Sequence, residues 1–77
     1  MGVHPTLSGK DVIRILTKKF DFQIISQKGS HVKLRKYTEI GKITTIVPNH
    51  DELDIGTLEG ILDLAQIKKE DFWNAYR

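Results

Sequence analysis

The stretch Ser30-His31-Val32-Lys33-Leu34-Arg35-Lys36-Tyr37 decides how this chain folds. Successive side chains of an extended strand face opposite ways, so Val32 and Leu34 point to one side while His31, Lys33 and Arg35 point to the other. Two further β-rich runs flank it, Phe22 to Gln27 and Lys42 to Val47, separated from it by Lys28-Gly29 and by Thr38-Glu39-Ile40-Gly41. Three consecutive strands with connections this short make an antiparallel meander. Its sheet has one apolar face, and its opposite face is cationic with a histidine at the edge.

Helical signals lie on both sides of the meander. Upstream, Ser8 followed three residues later by Asp11 makes a capping box with Asp in place of Glu, and Val12, Ile13, Leu16 and Phe20 recur at helical spacing. A first helix is therefore expected from Lys10 to Phe20, with Arg14, Lys18 and Lys19 as its solvated side. Downstream, Pro48 cannot donate to a strand ladder and ends the third run, and Asn49-His50-Asp51-Glu52 is a polar connection. A second helix starts near Asp54 or Gly56, because Leu58, Ile61, Leu62 and Ala65 fall at i, i+3, i+4 and i+7 while Glu59 and Asp63 look out. The tail from Lys68 to Tyr76, with Phe72, Trp73 and Tyr76 behind Glu70-Asp71, suits one or two helical turns closing the core. The expected fold is α+β, a two-layer sandwich in the order α-β-β-β-α with a short C-terminal helix. Helices cover one face of a three-stranded antiparallel sheet, the order of double-stranded-RNA-binding domains. Fold alone says little about activity.

Composition narrows the classes. The 77 residues, 39% hydrophobic and without cysteine, suit one small domain over 1–77 that stands on its apolar core, with no disulfide and no thiolate metal site. No apolar run approaches the roughly 20 residues a membrane span needs, and Met1 to Thr6 lack the basic-then-apolar order of a secretion signal, so a cytoplasmic protein is expected. His4, His31 and His50 have no ligand-like spacing, and Asp51, Glu52 and Asp54 lack the alternation and glycine of a calcium loop. Neither a metal nor a cofactor is expected. The net charge of +2 hides an uneven distribution: Met1 to Thr45 holds nine Lys and Arg against three Asp and Glu, Ile46 to Arg77 three against seven. This asymmetry suits a basic surface meeting a polyanion and a separate acidic segment facing another partner; the alternative is that the two faces pair within the monomer.

Gln27-Lys28-Gly29-Ser30-His31 occupies the first hairpin, where Gly29 can take a left-handed conformation and bring backbone N–H groups and Ser30 close to a ligand. Imidazole ordinarily titrates at about 6.5, the side chain best suited to accept and return a proton near neutrality. With Lys33 and Arg35 on the same face, His31 suits a phosphodiester. That pentapeptide, followed by Thr45-Ile46-Val47-Pro48-Asn49-His50 and then Gly56-Thr57-Leu58-Glu59-Gly60-Ile61-Leu62, resembles the HicA family of toxin mRNA interferases. The resemblance runs from the Ser8-Gly9-Lys10 helix start to Phe72. It implies a fold like that of double-stranded-RNA-binding domains, ribonuclease activity that arrests translation, and neutralisation by a HicB-type antitoxin encoded beside it. It also implies that the catalytic histidine is His31.

The expected chemistry is metal-independent RNA cleavage. His31 takes the proton of a ribose 2′-OH, and Lys28, Gly29, Lys33 and Arg35 hold RNA or its charged oxygens. Ser30 and His50 are possible catalytic support. His50 is either the proton donor to the leaving oxygen or a loop histidine that bonds Asp51 or caps the next helix. Gly56-Thr57 either presents free N–H groups to a phosphate or is simply capped. Expected partners are mRNA and the antitoxin, the chain being a monomer alone and part of a hetero-oligomer with antitoxin, with no membrane partner. Two alternatives stand beside this reading: a non-catalytic RNA-binding module, and a protein-interaction domain using the acidic C-terminal part and the aromatic tail.

Overall fold

The computed structural model describes residues 6–76, so His4 lies outside the described residues. The elements are α1 (Gly9–Lys19), β1 (Gln23–Lys28), β2 (His31–Thr38), β3 (Gly41–Pro48), α2 (Ile55–Ala65) and α3 (Lys69–Tyr76). This is the expected α+β order. The strands form one antiparallel sheet in the order β1-β2-β3. The smallest extent of the molecule, 19 Å, is that of one sheet layer and one helix layer.

The capping box opens α1 as expected: Ser8 Oγ accepts from Asp11 N–H at 3.1 Å and Asp11 Oδ2 from Ser8 N–H at 3.2 Å. The helix ends where Asp21 enters the left-handed region at φ 64°, a turn that lets Phe22 N–H bond the Leu16 carbonyl at 3.1 Å. Phe22 is then buried ahead of the strand rather than inside it. At the far end of α2, Gln66 does the same at φ 59°. Its N–H bonds Asp63 C=O at 3.2 Å, and Ile67 N–H bonds Leu62 C=O at 3.0 Å, the paired bonds of a Schellman cap.

The first hairpin is shifted by one residue from the expected Lys28-Gly29 loop, and the second is two residues tighter than expected. Lys28 pairs with His31, so Lys28 belongs to β1 and the loop is Gly29-Ser30. Gly29 has φ 59° while Ser30 stays out of the positive region, the pattern of a type II′ turn, which follows the right-handed twist of the strands. Thr38 pairs with Gly41, leaving Glu39-Ile40 as the second loop.

The core lies between sheet and helices. Val32 and Leu34 of β2 and Val47 of β3 meet Val12, Ile15 and Leu16 of α1, the apolar stripe of α2, and Phe72 of α3. Thr45 is fully buried among them, its hydroxyl donating to the Ile61 carbonyl at 2.9 Å, which offsets the cost of burying it. β1 contributes little: all six of its residues are exposed, and a bulge at Ile25 breaks the register between Ile24 and Ser26. The apolar face is thus built from β2 and β3, with β1 as a bent edge strand. No helix among the described residues is long and apolar enough to cross a membrane.

The ion pairs are Arg14 with Asp11 at 3.4 Å and Lys69 with Glu59 at 2.9 Å. Each stays within its own part of the chain. Among the described residues no salt bridge joins the basic strands to the acidic C-terminal part.

Candidate functional site

The mouth of the first hairpin is assembled from three segments far apart in sequence. His31 opens β2 and has Lys28 of β1 on one side and Pro48 of β3 on the other as cross-strand partners. Side chains so paired share a face with Cβ atoms about 5 Å apart, which sets the Lys28 stem beside the imidazole. His31 is exposed.

Beyond Pro48 the chain turns across the end of the sheet and is held by backbone hydrogen bonds. Asn49 N–H donates to Ser30 C=O at 2.6 Å, Gly9 N–H to His50 C=O at 2.8 Å, and Leu53 N–H to Leu7 C=O at 2.8 Å. Gly9 is needed for this approach: a Cβ there would run into the Pro48 carbonyl oxygen and lie 2.7 Å from Asn49 Cα. Held in this way, the loop brings His50 Nε2 to 3.3 Å from Ser30 Oγ. Ser30, His31 and His50 therefore gather at one end of the sheet.

Of the two loop roles weighed for His50, neither is seen. Its ring is bonded to Ser30, and the cap of α2 is Asp54, whose Oδ1 accepts from Thr57 N–H at 2.7 Å. That bond holds the Asp54 carboxyl below the usual carboxylate range. It also decides the fate of Gly56-Thr57: the helix start is taken by the chain's own carboxylate, the capping alternative, and not left open for a phosphate.

Of the other candidates, Gly29 stays in the turn at the mouth, and Lys33 and Arg35 run away from it along β2. Gly29 has open space where a side chain would stand, and Gln27 Nε2 donates to its carbonyl at 3.0 Å, bracing the turn. Lys33 and Arg35 follow His31 on the outward face of β2, and Arg35 Nε donates to Thr44 Oγ1 at 3.0 Å, which fixes the guanidinium across the strand pair. This face is not purely cationic. Ile46, the cross-strand partner of Lys33, is 41% exposed there, and Tyr37 continues the series beyond Arg35. The alternation that grouped His31, Lys33 and Arg35 also includes Tyr37, so the signal was in the sequence. Asn49 and Gly9, which act through backbone contacts, left none in residue chemistry.

An exposed imidazole beside an ammonium group can take a proton from a hydroxyl while the cation stabilises an anionic oxygen. Among the described residues no group of three His, Asp or Glu side chains is placed to hold a metal ion. A family model described as HicA toxin of bacterial toxin-antitoxin matches residues 9–67, from the first residue of α1 to just past the cap of α2. No curated protein and no solved structure matches the chain.

Proposed function

The chain belongs to the HicA family of toxins of bacterial toxin–antitoxin systems, and from that premise we propose that it is a metal-independent endoribonuclease that cuts mRNA. The observation that carries the reading is the assembly at the hairpin mouth, where exposed His31 stands between Lys28 and Pro48 and where Ser30 meets His50 at 3.3 Å. His31 takes the proton from a ribose 2′-OH, and the freed oxygen attacks the adjacent phosphorus. The P–O5′ bond breaks, leaving a 2′,3′-cyclic phosphate on one product. His50, oriented by Ser30, delivers the proton that the 5′-oxygen needs to depart. Lys28, Lys33 and Arg35 offset the negative charge that grows on the non-bridging oxygens. Proton transfer by one positioned group is worth roughly 10²–10⁴-fold.

The antitoxin in this reading is a HicB-type protein whose acidic surface covers the basic face around His31, so that inhibition is steric. The free +6 balance of the first 45 residues, with no salt bridge to the acidic part among the described residues, supports a partner of that charge.

The test is purified protein incubated with RNA, and with DNA of the same sequence, in excess chelator. RNA is expected to be cut and DNA spared, because only RNA offers the 2′-OH. His31→Ala is expected to lose about 10²–10⁴-fold in rate with its fold intact. A wild-type rate in that variant removes His31 from the chemistry, and a salt-sensitive mobility shift with uncut RNA makes the protein a binding module instead.

A further inference from the structure

Tyr37 is 66% exposed although it lies inside β2. Neither its ring nor its hydroxyl has a partner among the described residues. Strand alternation puts it on the outward face with His31, Lys33 and Arg35, and its cross-strand partner is Lys42. At about 3.3 Å per residue, Tyr37 stands about 20 Å along the strand from His31. A row that begins with an imidazole and passes two cations thus ends in a bare aromatic ring beside a third.

We infer that Tyr37 stacks an unpaired base of an RNA strand whose backbone follows Lys33 and Arg35 away from His31, which makes the substrate single-stranded. This rests on the ribonuclease reading and adds a specificity residue to it. A base inside a duplex has both faces covered by its neighbours, whereas an unpaired base offers a face that an aromatic ring on a sheet surface can cover. The stack is sequence-tolerant, since every base has such a face. A stacked strand rises about 3.4 Å per nucleotide, so the base held by Tyr37 lies up to about six nucleotides from the cut. The charge around the ring favours a nucleic acid: Lys33, Arg35 and Lys42 share its face, and Glu39, the carboxylate nearest to it in sequence, is in the hairpin loop and not on the strand.

The experiment measures binding in a His31→Ala background, so that RNA stays intact. The probes are a single strand of about 12 nucleotides, long enough to pass Tyr37 at about 3.4 Å each, and the same RNA annealed to its complement. Tyr37→Ala is expected to weaken single-strand binding roughly 5- to 100-fold, the range for losing one base–aromatic stack, with duplex binding unchanged. Tyr37→Phe, which keeps the ring, is expected to bind as the parent does. Unchanged single-strand affinity, equal losses on both RNA forms, or equal losses in Ala and Phe variants would overturn the inference. So would a loss seen only against an acidic protein partner. Failure of the ribonuclease reading looks different: the chain with His31 intact leaves RNA uncut while affinity still responds to Tyr37.

Discussion

Gly9 shows how much of this site depends on a residue with no side chain. Its N–H reaches the His50 carbonyl only because nothing stands between the start of α1 and the Pro48-Asn49 backbone. In Gly9→Ala the new methyl must push helix and loop apart, at a cost of about 1–3 kcal/mol by the usual penalty for overfilling a packed site. The denaturation midpoint should fall. Because the displaced loop carries His50, RNA cleavage measured well below that midpoint should slow as well. A variant with lowered stability but a full rate would show that His50 need not be held beside Ser30. The shared outward placement of His31 and Lys33 was legible from alternation in one strand. The meeting of Ser30 with His50, 20 residues apart, was not, because it is produced by backbone hydrogen bonds that residue types do not encode.

At the scale of elements, the helix ends hold the clearest reserves of stability. Gln66 pays the steric cost of a left-handed backbone to close α2, a conformation glycine adopts freely. Gln66→Gly should therefore stabilise the fold by about 1 kcal/mol, raising Tm by about 4–8 °C in a domain this small, as calorimetry would record. The start of α1 gives a dependence on pH. Asp11 is held below its ordinary value of 3.8, chiefly by the Ser8 backbone N–H and also by the Ser8 hydroxyl and Arg14. A carboxyl whose folded pKa is depressed adds stability above its unfolded pKa and loses it as pH falls through the folded one. Urea midpoints should thus drop below about pH 4, with a shallower acid limb in Asp11→Asn. The strands and both main helices could be read from periodicity, and the capping box from Ser8 and Asp11. The bulge at Ile25 could not: Gln23 to Gln27 has no glycine or proline to mark it, and only pairing with β2 reveals which residue is left over.

For the whole molecule, the separation of charge should govern how it meets RNA. Each phosphate neutralised on a single strand contributes about −0.7 to the slope of log affinity against log salt. Removing Lys28, Lys33 or Arg35 one at a time should flatten that slope by about 0.7 each, with little change between RNA sequences, in titrations across salt concentration. An unchanged slope would move the polyanion contact off this sheet face. The far side of the molecule offers a way to watch such experiments. Trp73 is the single tryptophan of the chain, set edge-on between Phe72 at 5.3 Å and Tyr76 at 5.6 Å in the terminal helix and not on the sheet's outward face. Its fluorescence is a built-in gauge of whether that helix stays docked, so loss of RNA affinity and loss of folding can be told apart in one cuvette, without attaching a dye.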